Sequence, residues 1–367
     1  MKAKIITLHT VCNYGTQLQA LATQKKLLEY FDEVEFINFK RDDTYGHGLL
    51  KQFSKGNLIR LIAFFPTYIR WKKIFGSFQK EYLNIEKNEY LTEEDFEKYE
   101  DDADVYITGS DQVWNTGWNK GIIPAMYLNF IKNKPKFSYA ASFGKKELEN
   151  EHIIVSSDYI KDYNLISVRE DSGLNILKNQ YKYDKCTRIL DPTLAYNGDF
   201  WRNLTSKKRL IKEKYILVYN LNNNKKFDEF ANNVSKKTGL KLYRFCTRYD
   251  QILKNGKSLL IPNVLDFINL IDNAEYVITD SFHATAFSIN LNTEPICIYP
   301  SDYSSRLDDF LKLVGASDKH VKNYNDYDVL NRKIDFEKVN KILDVERKHT
   351  NQFLSDMMKE VKKFYER

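Results

Sequence analysis

Four runs of the chain combine hydrogen-bonding and ionisable residues at spacings that could do chemistry, and each follows a strand-like stretch. In His9-Thr10-Val11-Cys12-Asn13-Tyr14-Gly15-Thr16-Gln17 a strand end meets a glycine turn and a helix start. A helix amino terminus offers N–H groups and partial positive charge to an anion, and Asn13 and Gln17 could bond sugar hydroxyls. A plain βα turn that needs Gly15 for its backbone angles accounts for the same residues. In Thr108-Gly109-Ser110-Asp111-Gln112-Val113-Trp114-Asn115, the polar side chains of Ser110, Asp111, Gln112 and Asn115 beside Trp114 suit a polar ring with one apolar face. Ser110 or Asp111 could equally cap a helix there.

The third run, Ser167-Val168-Arg169-Glu170-Asp171-Ser172-Gly173, puts Arg169 at a strand mouth, where a guanidinium can clasp a phosphate or carboxylate through two parallel hydrogen bonds. Glu170 or Asp171 could instead neutralise it. The fourth, Thr279-Asp280-Ser281-Phe282-His283-Ala284, reads as a strand meeting a helix capped by Ser281. That cap places His283 in the first turn, where the helix dipole disfavours imidazolium and an imidazole beside a bound phosphate could carry a proton. A satisfied structural histidine is the alternative.

Strand-like and helix-period runs alternate around these sites. Lys4 to Thr10, a helix over about Thr16 to Tyr30 and Val34 to Asn38 open a βαβ pattern, continued by strands at 105–108, 137–140 and 165–168. A second round starts at Tyr215 to Asn220, with a helix near 227–238 and strands at 240–245, 276–279 and 295–299. The expected fold class is therefore α/β, with two Rossmann-like doubly wound domains facing a cleft. The expected domains are 1–200, 201–335 and a closing segment 336–367 of one or two helices. About 49–82, a stretch of apolar and aromatic residues with basic flanks reads as a helical insertion in the first domain. It either packs there or lies against anionic lipid headgroups.

The chain has 367 residues, 56 Lys plus Arg against 50 Asp plus Glu, and only 14 Gly and 7 Pro, which excludes collagenous and low-complexity classes. Its positive charge is dispersed, so nucleic acid is not an expected partner. Four widely spaced cysteines without a C-x-x-C pair point to a reduced compartment, and no signal-peptide core follows Met1. A cytoplasmic protein is expected, peripheral on the inner face of the membrane if the insertion binds lipid. Gly46-His47-Gly48 lacks the third glycine of a dinucleotide fingerprint, and Gly256-Lys257-Ser258 lacks the first glycine of a phosphate-binding loop. Asp102-Ala103-Asp104 precedes its strand, at the wrong edge for a metal-nucleotide site. No metal site is expected.

Taken in order, N-Y-G-T-Q-L-Q-A, G-S-D-Q-V-W-N, S-V-R-E-D-S-G, L-D-P-T-L, T-D-S-F-H-A-T-A-F-S and S-R-L-D-D-F-L resemble the polysaccharide pyruvyl transferase family over about residues 5 to 315. The resemblance implies a fold like that of GT-B glycosyltransferases and an enzyme that uses phosphoenolpyruvate to place a pyruvate ketal on a sugar. The acceptor would be a surface polysaccharide, such as a capsule or exopolysaccharide, or a lipid-linked oligosaccharide. Phosphoenolpyruvate would be a co-substrate, with no separate cofactor. An arginine like Arg169 and a histidine like His283 are associated in the family with donor binding and proton transfer.

Family members read Arg-Leu-His where this chain has Ser281-Phe282-His283, so Arg306 or Lys145 would have to supply the missing cation. The resulting expectation has His283 as acid/base and Arg169 as anion clamp. Ser281, Arg306, Asn13 and Gly15 would complete the donor site; Ser110, Asp111, Gln112, Trp114 and Asn115 would hold the acceptor. A GT-B glycosyltransferase using a nucleotide sugar and a non-catalytic glycan-binding protein are the alternatives.

Overall fold

The computed structural model describes residues 1–42, 44–222, 224–300 and 304–366. The chain divides into two compact units: Met1–Leu49 with Phe78–Ala195 and Val345–Arg367, and Leu50–Ser77 with Tyr196–Asp344. The first unit holds seven strands, β1 (Lys2–Ile6), β2 (Glu33–Phe39), β3 (Ile85–Tyr90), β4 (Val105–Thr108), β5 (Lys136–Ala141), β6 (Leu165–Val168) and β7 (Cys186–Arg188). They form one parallel sheet in the order β3-β2-β1-β4-β5-β6-β7. The helices between these strands along the chain are α1 (Tyr14–Leu27), α2 (Gly46–Ser54), α3 (Leu58–Tyr82), α4 (Thr116–Asn119), α5 (Asn150–Lys161) and α6 (Asp171–Asn175), of which α2 and α3 fall partly in the second unit. The central strands are buried on both faces, as helix-covered parallel strands must be; every residue of β4 and β5 is buried.

The second unit repeats the plan. Strands β8 (Tyr215–Tyr219), β9 (Lys241–Cys246), β10 (Lys257–Leu260), β11 (Tyr276–Thr279) and β12 (Glu294–Cys297) are parallel in the order β10-β9-β8-β11-β12. The helices are α7 (Gly198–Leu204), α8 (Lys225–Thr238), α9 (Asp266–Asp272), α10 (Phe282–Asn290), α11 (Ser305–Leu313) and α12 (Phe336–Tyr365). Helix α8 shows why these residues fold locally as they do. Asn224 accepts the N–H groups of Lys226 and Phe227, the buried face is Phe227, Phe230, Ala231 and Val234, and Gly239 ends the helix at φ 69°. Both sheets reverse direction at their first strand, between β1 and β4 and between β8 and β11. Ligands of doubly wound sheets collect beyond the carboxyl ends of the strands at that reversal.

The insertion differs from its expected assignment. Residues 50–77 pack with the second unit, because α3 turns an aromatic face to the carbonyls at the ends of β9 and β10. Trp71 Nε1 donates to Thr247 O at 2.7 Å, Arg70 Nη2 to Ile261 O at 3.3 Å, and Thr67 Oγ1 accepts from Tyr249 N at 3.1 Å. Phe53 and Phe64 stack on each other and both meet Trp71 edge-on. The closing segment is a single 30-residue helix, and from Val345 onward it belongs to the first unit, where Glu346 pairs with Arg188 at 2.9 Å and Thr350 Oγ1 accepts from Leu190 N.

Truncating Trp71 tests this packing. Trp71→Ala is expected to cost about 3–5 kcal/mol in urea unfolding, and Trp71→Phe, which keeps the ring contacts and loses one hydrogen bond, about 1 kcal/mol. An unfolding midpoint unchanged in both variants would contradict the burial described.

Candidate functional site

In the first unit the ends of β1 and β4 meet through a carboxylate. Asp111 adopts φ 76°, a left-handed conformation that costs roughly 1–2 kcal/mol for a residue other than glycine and that aspartate tolerates better than most. Its Oδ2 accepts from Thr16 Oγ1 at 2.7 Å, in the first turn of α1, and its Oδ1 from Arg169 Nη2 at 3.1 Å. Arg169 Nη1 donates to Asp191 Oδ2 at 2.6 Å, and Nε lies 3.7 Å from Glu170 Oε2. Asp191 also accepts from Ser110 Oγ, Thr193 N and Thr193 Oγ1. Burial works against the Arg169 charge, but the three carboxylates outweigh it and hold the guanidinium above its usual range.

Arg169 is therefore corrected from anion clamp to internal hub: its side chain is 0% exposed and surrounded by acids of its own unit. Of the local acids, Glu170 lies beside it as expected, whereas Asp171 pairs with Arg188 at 3.2 Å. Glu170 Oε1 also gathers the loop after β5, accepting from Ser142 Oγ, Phe143 N and Gly144 N. Gly144 has φ 64°, and a Cβ there would fall 2.5 Å from both Asn115 Nδ2 and Gln112 Oε1, so this close approach requires glycine.

Several other expected ligand residues are also structural here. Trp114 is 1% exposed, stacks on Tyr127 and donates from Nε1 to Met126 O at 3.1 Å, which makes it core rather than a sugar platform. Ser110 and Asn115 are fully buried, and Asn115 caps α4 by accepting from Gly117 and Trp118 N–H. Asn13 caps α1 by accepting from Thr16 N. Gly15 is a buried residue in the first turn of α1, not a left-handed turn glycine. Gln17 is buried, with Nε2 donating to His9 O and Val11 O. Burial lowers the His9 imidazole to about 4, so it is neutral at physiological pH. Gln112 and Asn13 keep partial exposure at this edge. Asp102 is an ion-pair partner of Lys2 and Lys4.

The second unit builds an equivalent edge around Asp280, a residue of the fourth run whose role its neighbours in sequence do not reveal. Asp280 follows Thr279 at the end of β11 and accepts from Leu221 N at 2.8 Å, Asn222 N and Nδ2 at 2.9 Å, and Asn220 Nδ2 at 3.0 Å, all beyond the end of β8. Burial pushes its carboxyl above the usual aspartate value while those hydrogen bonds pull the other way. Ser281 caps α10 through Ala284 N, as its position predicts, and His283 occupies the first turn at 6% exposure. Beside them the Arg306 guanidinium carbon lies 5.7 Å from the Phe282 ring centroid, and that ring meets His283 edge-on at 5.3 Å. Lys145, the other candidate for the missing cation, bonds Glu149 at 2.8 and 3.1 Å in the first unit. Arg306 is thus the candidate whose guanidinium lies beside Phe282, the residue before His283.

Removing the cation of the Arg169 hub leaves three buried carboxylates uncompensated. Arg169→Met is expected to lose about 3–5 kcal/mol in urea unfolding, and Arg169→Lys, which restores charge without the planar fork, to recover part of it. A Met variant as stable as the parent would rule out the hub.

The family model described as Polysaccharide pyruvyl transferase matches residues 13–302. The comparison with curated proteins gives no match. Among solved structures, the glycotransferase of kitacinnamycin is similar at 11% identity and TM-score 0.51, covering 98% of both chains. An α-glucosyltransferase solved with UDP and a 13-mer DNA containing an HMU base is similar at 10% identity and TM-score 0.50, covering 100% of both. These two likenesses show a shared GT-B fold. Motif order, twin Rossmann sheets and the family match agree: the chain belongs to the polysaccharide pyruvyl transferase family and is a transferase.

Proposed function

We propose that this transferase takes phosphoenolpyruvate as donor and sets a pyruvate ketal on two hydroxyls of a sugar in a polysaccharide or lipid-linked oligosaccharide. The observation that carries the reading is the place of His283 in the first turn of the Ser281-capped α10, beyond the carboxyl end of β11, with the Arg306 guanidinium over the neighbouring Phe282 ring. Phosphoenolpyruvate brings a phosphate and a carboxylate. The α10 amino terminus offers N–H groups to one anionic group and Arg306 offers a guanidinium to the other.

In this reading His283 delivers a proton to the methylene carbon, which becomes the ketal methyl. The C2 carbon so made electrophilic takes the first sugar hydroxyl, and the second displaces phosphate. One hydroxyl proton replaces the one His283 gave up, and the other leaves with phosphate. Asp280 positions the strand ends around the donor through its bonds to the 220–222 segment.

The test is acceptor-dependent phosphate release from phosphoenolpyruvate with a panel of glycans and lipid-linked oligosaccharides. His283→Gln is expected to lower kcat by roughly 10²–10⁴-fold with little change in donor KM. Arg306→Ala is expected to raise donor KM by about tenfold or more. UDP- or GDP-sugars should support no transfer. Full turnover by the His283 variant would remove its proton role, and transfer from a nucleotide sugar would replace the donor.

A further inference from the structure

Helix α3 is apolar on two opposite sides, and the fold uses one of them. At about 100° per residue, Phe64, Trp71, Ile74 and Phe75 share an arc, and all four are buried. Leu58, Ile62, Phe65 and Ile69, spaced by four, three and four residues, lie on the opposite arc at 69%, 64%, 49% and 51% exposure. Scattered exposed apolar residues need no explanation, but an aligned stripe over three turns does.

The charge around that stripe indicates what covers it. From Thr44 to Lys80 the sequence contains no Asp or Glu, whereas a stretch of that length at this chain's average would contain about five. It carries Lys51, Lys55, Arg60, Arg70, Lys72, Lys73 and Lys80. Lys72 and Lys73 are exposed and follow Ile69 on the two flanks of the stripe. A second copy of the chain would bring the same excess of positive charge against itself, which argues against a symmetric dimer through this face. The phosphate and sugar surface of a nucleic acid would leave most of this apolar stripe in water. An anionic lipid surface satisfies both features at once, taking the apolar stripe at the acyl boundary and the cations on its phosphates. No helix among the described residues is long and apolar enough to cross a membrane.

We propose that the outward face of α3 docks the protein on an anionic phospholipid membrane, with the helix lying in the plane of the interface. This stands apart from the donor reading and is tested without turnover. The full chain is floated with neutral phosphatidylcholine vesicles and with vesicles containing about 30% phosphatidylglycerol. It should float with the anionic vesicles alone and be released by about 0.5 M salt. Ile62→Gln/Phe65→Gln/Ile69→Gln should weaken binding roughly a hundredfold or more, and Lys72→Gln/Lys73→Gln roughly twentyfold. Both should keep the parent melting temperature, since the altered side chains are exposed. No flotation of the parent, equal flotation with neutral vesicles, or unchanged binding by either variant would overturn the proposal. So would a dimer in analytical ultracentrifugation that the apolar triple variant dissociates, since the face would then belong to a second copy.

Discussion

A buried carboxylate at the point where each sheet reverses is the constraint on which both edges depend. Taking a carboxylate out of water is tolerable only if donors meet its oxygens, and at such a reversal the donors must come from the neighbouring strand or the helix after it. Asp111 meets this need through Thr16 and Arg169, and Asp280 through the backbone and amides of Asn220, Leu221 and Asn222. Each carboxylate thus ties together two chain segments far apart in sequence. The two runs are alike, Ile-Thr-Gly-Ser-Asp in the first unit and Ile-Thr-Asp-Ser-Phe in the second. The physical device is the same although the donors differ: a guanidinium and a hydroxyl serve Asp111, and neutral backbone and amide N–H groups serve Asp280.

That difference distinguishes the two edges. Where a guanidinium is spent on three acids, its charge is turned inward, and the first unit's edge becomes a rigid frame with Gln112 and Asn13 at its surface. In the second unit the acid is met, among the described residues, by N–H groups alone. Arg306 lies over Phe282 rather than within the carboxylate's hydrogen-bond set. Arg306, from α11, lies beside the Ser281-Phe282-His283 run through its contact with Phe282.

The insertion shows a second consequence of packing. Helix α3 is apolar on two opposite sides, and the burial of Trp71 against Thr247 accounts for only one of them. The other side, bordered by cations and without an acid from 44 to 80, is what turns a packing element into an interaction surface.

Local chemistry made much of this legible. Short buried strands such as 105–108, 165–168 and 276–279 stand in the structure at the bounds their β-branched and aromatic runs indicate, and Ser281 caps α10 where a serine after a strand should. Edge strands β3, β7 and β10 were not legible, because Ile85–Tyr90 and Cys186–Arg188 are polar and half-exposed and Lys257–Leu260 begins at a turn. Nor could spacing reveal that Arg169 would meet Asp191 and Asp111, 22 and 58 residues away, or that Trp114 would stack inside the core. The amino-acid order by itself determined the alternation of elements, the caps and the family, since these rest on neighbours within a few positions. Only the tertiary structure decided which polar side chains are consumed in holding the strand ends together and which remain for a ligand, because that depends on partners the chain brings near only when the sheets form.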